Sequence, residues 1–255
     1  MRKNIKKNFL LVVVLICTLT AFSQQKQSDF KPEFRQYILA GYNFGGTAPT
    51  PMPNTIRKIN AWWPEFNPSL GYEVDYVFNE HWGVGGAIKL DYKGMGTKSE
   101  VLYMHTIVDI EDGDKPGKFE GLFVGHNKTV VKNGYITLPL HAIYYPDKNW
   151  KTQFGVYFGY LFHGGFSGEV TDGYIRTPDA VGEKIAIDTA TFDFDDEMRK
   201  FDFGLQAGGE RRINSKISIN GNLSWGLLPL FPKSFHGMDF SMYNIFFTLG
   251  ISYKL

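Results

Sequence analysis

Tyr243-Asn244-Ile245-Phe246-Phe247-Thr248-Leu249-Gly250-Ile251-Ser252-Tyr253-Lys254-Leu255 is the stretch whose reading decides the fold. Tyr243, Ile245, Phe247, Leu249, Ile251, Tyr253 and Leu255 form an apolar row. Asn244, Thr248, Gly250, Ser252 and Lys254 fall between them, with Phe246 the exception. Successive side chains of an extended chain point to opposite faces, so this period of two marks a strand with one apolar and one polar face. The segment before it repeats the pattern: Ile217, Ile219, Leu223, Trp225 and Leu227 alternate with Ser218, Asn220, Asn222, Ser224 and Gly226. Phe201, Phe203 and Leu205 alternate with Asp202, Gly204 and Gln206. Toward the N-terminus the apolar rows are Phe154 to Phe162, Trp82 to Tyr92 and Leu70 to Phe78, and residues 135–145 and 36–45 are strand-like with less regular alternation. The count is eight segments, each able to supply the roughly 9–11 residues of a tilted spanning strand.

The joins carry a second signal. Asn79-Glu80-His81, Pro146-Asp147-Lys148-Asn149 and Asn214-Ser215 are short and turn-forming, whereas the joins at about residues 46–64, 95–133, 164–198 and 229–240 are long. Strict alternation of short and long is expected of a barrel with tight turns at its periplasmic rim and long loops at its outer rim. An even strand number then places both chain ends on the short-turn side. Tyr76, Phe78, Trp82, Tyr144, Tyr145, Trp150 and Tyr253 flank the short turns, and Trp62, Trp63, Tyr92, Tyr160 and Trp225 lie toward the long ones, as interface girdles require. In the second long join, residues 101–110 and 119–131 are strand-like, so the third and fourth strands are expected to continue above the membrane as a hairpin. The first long join is stiffened by Pro49, Pro51, Pro53 and Pro64 beside Trp62-Trp63.

A secreted lipocalin-type barrel would turn the same apolar row inward. The aromatic and aliphatic bulk of that row on every strand, the glycines of the polar row and the join rhythm favour lipid on the apolar side. The expected fold is all-β, an eight-stranded antiparallel transmembrane β-barrel.

The first residues point to export. Arg2, Lys3, Lys6 and Lys7 precede the apolar run Phe9 to Ile16, and Ala21-Phe22-Ser23 offers a cleavage site before Gln24. The expected organisation is a signal peptide at 1–23, a periplasmic tail at 24–35 and a barrel at 36–255 in a Gram-negative outer membrane. Cys17, the one cysteine, lies within the signal and follows Ile16 where lipidation needs a small residue. The mature chain therefore carries no disulfide, thiol nucleophile or Cys-based metal site. Residues 1–23 hold four of the 27 Lys and Arg and none of the 26 Asp and Glu, so the formal charge falls from +1 to −3. With no clustered basic surface, nucleic acid is not an expected partner.

Tyr135-Ile136-Thr137-Leu138-Pro139-Leu140 leading to Tyr144-Tyr145, Gly155-Val156-Tyr157-Phe158-Gly159-Tyr160-Leu161, and Phe203-Gly204-Leu205-Gln206-Ala207-Gly208-Gly209-Glu210 carry a resemblance to the porin-like outer-membrane β-barrel family of PorT type. It covers about Gln36 to Leu255 and includes the loop residues 166–174. The resemblance implies the barrel, and for some members an accessory role in protein secretion. It also implies that Pro139 is tolerated within a strand, where a local bulge is the expected accommodation.

On the lumen side the alternation places Glu73, Asp75, Lys89, Asp91, Lys93, Gln153, Asp202, Gln206, Glu210, Arg212 and His141. Eight strands enclose an interior that side chains can fill. Charges of both signs there are expected to form an ion-paired plug; the alternative is a narrow ion path lined by the same groups. No catalytic motif accompanies the loop histidines His105, His126, His163 and His236, so no enzyme is expected. The acidic runs at 109–114 and 193–197 lack the ligand spacing of a calcium hand and read as solvated loops, so no cofactor or metal is expected. Expected partners are outer-membrane lipid, the barrel-assembly machinery, and envelope or secretion-system proteins or an extracellular ligand met through the loops.

Overall fold

The computed structural model describes residues 30–110 and 116–255. The expected signal peptide, residues 24–29 of the expected tail and residues 111–114 of the first acidic run lie outside the described residues. Eleven strands follow in chain order: β1 (Glu33–Pro49), β2 (Ile56–Pro64), β3 (Pro68–Val77), β4 (Trp82–Ile110), β5 (Gly117–Tyr144), β6 (Trp150–His163), β7 (Phe166–Thr177), β8 (Glu183–Asp193), β9 (Phe201–Arg212), β10 (Ile217–Gly226) and β11 (Met242–Lys254).

Eight of them close a ring in the order β1, β3, β4, β5, β6, β9, β10, β11 and back to β1, every neighbour antiparallel. The closing seam runs from Tyr37 opposite Lys254 to Pro49 opposite Met242. A closed ring leaves no row of unpaired backbone groups, which is what lets strands sit in hydrocarbon. The first strand starts earlier than the alternation suggests, since Glu33, Phe34 and Arg35 already pair with Val77, Tyr76 and Asp75.

Three of the four long joins are folded into strands. β4 and β5 run on as a hairpin of 29- and 28-residue strands, far beyond the roughly 9–11 residues needed to cross a bilayer. The first join contributes β2, paired to β4, and the third contributes β7 and β8, with β7 paired to β5. β8 touches β4 at Asp109 opposite Thr191, so β4, β5, β7 and β8 close on themselves above the ring.

Polarity inverts along β4 and β5. Within the ring, Ile88, Leu90, Leu138 and Leu140 are exposed on the outside while Asp91, Lys93, Thr137 and His141 are buried inside. Beyond it, the same outer face of β5 carries Lys128 and Lys132, and the inner face carries Phe123 and Val131, both fully buried. Lipid outside the ring and water outside the extension explain both halves. Leu249 sits on the lipid side at mid-length of β11, opposite Tyr42 and Gly221. Leu249→Arg is therefore expected to cost about 2–4 kcal/mol of barrel stability. The check is the urea midpoint of the heat-modifiable form in lipid.

Pro139 is accommodated without the expected bulge. The register with β4 is the same before and after it, and Pro139 pairs in step with Tyr157 of β6. The ladder simply skips Ala87 and Ile88, leaving the missing donor unrequired. Three of the expected girdle aromatics also lie elsewhere. Tyr145 is buried inside the ring, with the Arg35 guanidinium 5.1 Å from its ring centre. Trp62 and Trp63 belong to β2, where Trp63 covers Gly96 and donates to Glu65 Oε1 at 3.0 Å.

Candidate functional site: a filled lumen beneath an outward extension

Inward residues of β3, β5, β6 and β9 meet in the half of the lumen nearer the short turns. Lys151 Nζ lies 2.6 Å from Glu73 Oε1, 2.7 Å from Asp75 Oδ2 and 3.9 Å from Glu210 Oε2. Its ammonium also stands 4.9 Å from the Tyr37 ring. His141 Nε2 is 3.7 Å from Asp75 Oδ1, and its Nδ1 is 3.5 Å from Gln206 Nε2. Gly85 of β4 borders this cluster closely enough that a Cβ would collide with both Asp75 and His141. Glu73, Asp75 and His141 each offer a ligand atom within 4.8 Å of the others, the spacing of a metal site. The Lys151 ammonium already bridges the two carboxylates, so one of their two charges is compensated by the chain itself.

A second cluster fills the other half. Lys93 Nζ is buried among three rings, 4.8 Å from Tyr157, 5.5 Å from Tyr135 and 5.8 Å from Phe246. Asp202 accepts from the Tyr157 hydroxyl and from Asn244 Nδ2, each at 3.0 Å. Thr47 donates to Asn244 Oδ1 at 2.8 Å, and Thr248 donates to Asn43 Oδ1 at 2.6 Å. Asp91 is paired with Lys89 at 3.3 Å and approached by Asn43 Nδ2 at 3.4 Å. Asn244 Nδ2 also donates to the Tyr135 hydroxyl at 3.1 Å, a bond that runs from β11 to β5 on the opposite wall of the ring.

Little space is left. The void bordered by Glu73, Lys89, His141, Gln153, Gln206 and Glu210 measures about 40 Å³, and one beside Tyr37, Lys151 and Arg212 about 10 Å³. A water needs roughly 10–15 Å³ on this measure, so the larger holds about three or four.

Of the residues that the alternation places inward, Glu73, Asp75, Asp91, Lys93, His141, Asp202 and Gln206 are buried. Lys89, Gln153 and Glu210 are half-buried on the lumen side. Arg212, the last residue of β9 and still paired with Ser218 of β10, is exposed at the short-turn rim. Lys151, the cation at the centre of the first cluster, is absent from the sequence-derived set. It lies two residues before Gln153 and shares its face, so parity alone would have found it. The loop histidines are not gathered into a site. His105 and His126 form surface pairs with Glu120 and Asp172, at 3.4 Å and 3.7 Å. The second acidic run is a short 3-10 turn, Asp195–Glu197, where Asp193 Oδ1 accepts from the Asp195 amide at 2.9 Å.

The extension has an apolar core of its own. Phe166 lies 5.0 Å from Phe231 and 6.1 Å from Phe194, centre to centre, which links β7 to the fourth long join. That join has no strand, yet Leu230 and Phe231 are buried and the Leu230 amide donates to Met242 O at 2.8 Å.

The ring, its lipid-facing apolar wall and its polar interior define a transmembrane β-barrel of the outer membrane. The chain belongs to the family described as outer membrane protein beta-barrel domain, whose model matches residues 22–232. Among solved structures it is similar to Ail, the attachment invasion locus protein of Yersinia pestis, in complex with the heparin analogue sucrose octasulfate. The identity is 12%, over 89% of this chain and 100% of that chain, with a TM-score of 0.35. It is also similar to the outer membrane protein OprG from Pseudomonas aeruginosa, at 12% identity over 87% of this chain and 95% of that chain, with a TM-score of 0.34. No curated protein matches the chain.

Proposed function

We propose that the protein is a non-enzymatic, non-conducting outer-membrane scaffold that presents the β2, β4–β5 and β7–β8 extension outward for recognition. The observation that carries this reading is the lumen. Lys151 is paired across the ring with Glu73 and Asp75, Lys89 is paired with Asp91 along β4, and the void among the lumen charges is about 40 Å³. A path for hydrated ions would need a continuous wet column, and the buried pairs would have to be broken to open one. The extension supports the other half of the reading, since a folded β-layer with its own core is a rigid platform of the kind that carries binding residues. In this reading the short turns and both termini face the periplasm. The barrel wall meets lipid, the assembly machinery inserts it, and envelope or secretion-system proteins or an extracellular ligand meet the extension. The PorT-type likeness of residues 135–161 and 203–210 supports an accessory place in an envelope complex.

The test replaces residues 95–131 and 165–198 with tight turns. The shortened barrel is expected to remain heat-modifiable on a gel and to fail to complement a deletion strain. Full complementation would place the function in the ring and contradict the proposal.

A further inference from the structure

The lumen is filled, but the passage from ring to extension is not. A cavity of about 290 Å³ lies there, roughly seven times the void among the lumen charges. On the same measure an apolar cavity of about 150 Å³ holds one benzene, so this one has room for about a dozen non-hydrogen atoms. Phe166 and Phe192 supply flat walls. Met52, Met95, Met104, Met238 and Met242 supply flexible ones, which adapt to a guest more readily than branched side chains. Ile59 and Trp62 on β2 stand at its edge, 50% and 48% exposed, which gives a way in from outside.

Two further features narrow the guest. No Lys, Arg, His, Asp or Glu is found among the described residues of the wall, so a charged molecule would be stripped of water with nothing to pair it. Asn127 is about nine-tenths buried on the wall. Its Nδ2 donates to Thr129 Oγ1 at 3.0 Å, while its Oδ1 has no donor. Buried acceptors are ordinarily satisfied, and an unmet one in a cavity calls for a donor on whatever enters.

We propose that this cavity binds a neutral amphiphile, an alkyl or aryl body of about a dozen heavy atoms with one hydroxyl or uncharged N–H directed at Asn127 Oδ1. The inference rests on the extension being the recognition element and names the class of small molecule it recognises. The long-chain alcohol 1-decanol fits this description, decane lacks the donor, and decanoate carries a charge.

The experiment is equilibrium dialysis of radiolabelled 1-decanol against the full mature protein in nanodiscs, with protein-free nanodiscs as the partition control. The expected result is saturable binding of one decanol per protein. Met104→Trp and Met238→Trp fill the cavity from different walls and should each weaken binding at least tenfold. Met238 lies outside the strands, so its substitution tests the site even if the β4 variant misfolds. Asn127→Leu should weaken decanol about tenfold and leave decane unchanged, and decanoate at pH 8 should bind at least tenfold more weakly than decanol. The proposal is overturned if binding never exceeds the partition control, if both Trp variants bind like the unaltered protein, or if decanoate binds as well as decanol. A stoichiometric phospholipid that copurifies and is lost in Met104→Trp would also overturn it, because the occupant would then be membrane lipid. Any of these failures, with the bilayer silent and the shortened barrel still unable to complement, would remove the ligand and leave the scaffold reading intact.

Discussion

Lys151→Ala is expected to cost about 3–5 kcal/mol of folding stability, the range for removing one partner of a buried ion pair. Lys151 bridges Glu73 and Asp75 at 2.6 and 2.7 Å with Glu210 at 3.9 Å, and all four side chains are buried or nearly so. The loss is not that of one bond. It is the cost of leaving two carboxylates from β3 buried and facing one another with no cation between them. Combining Lys151→Met with Glu73→Gln and Asp75→Asn removes the orphaned charge, and the triple variant should recover most of the deficit. The measurement is the urea midpoint of the heat-modifiable band for the three proteins in the same lipid. A single variant within 1 kcal/mol of the unaltered protein, or a triple no better than the single, would show that the cluster is not held as a paired plug.

Phe123→Ala should produce a loss of similar size in a different place. Phe123 is fully buried beside the Met104 and Ile175 positions of β4 and β7, inside the extension and away from the lipid wall. Truncating a buried Phe costs about 3–5 kcal/mol. Because the ring closes through its own eight strands, the loss is expected to fall on the extension alone. The expected outcome is rapid proteolytic nicking of residues beyond 95 in folded, heat-modifiable protein. Loss of heat-modifiability together with nicking would mean that ring and extension fold as one cooperative unit.

The ring was legible in the sequence because lipid and lumen impose opposite demands on alternate side chains, and β11 and β10 record this almost without interruption. The extension was less so, because its strands break the period. On β4 the face shifts at Tyr103, a bulge with φ of 55°, so inward Met95 and Val101 give way to inward Met104, Thr106 and Val108. On β7 a shift at Asp172, with φ of 52°, moves the buried set from Phe166 and Val170 to Ile175. Alternation that changes phase midway reads as a loop, which hides β7 and β8 in the sequence. In the lumen, parity identified the face of each charge but not its depth. Arg212 points the right way and still ends in water, while Lys151 lies between the turn 146–149 and the apolar row that opens at Phe154, just ahead of the alternating stretch. The apolar cavity has no local signature, since its walls come from segments far apart in the chain.

The most direct measurement of the central claim is single-channel conductance of the refolded mature protein in a planar bilayer, with folding and insertion shown independently. A filled lumen predicts a silent bilayer at ordinary voltages. Discrete, reproducible openings whose size changes when Lys89 or Asp91 is neutralised would contradict it and make the lumen the working part of the protein.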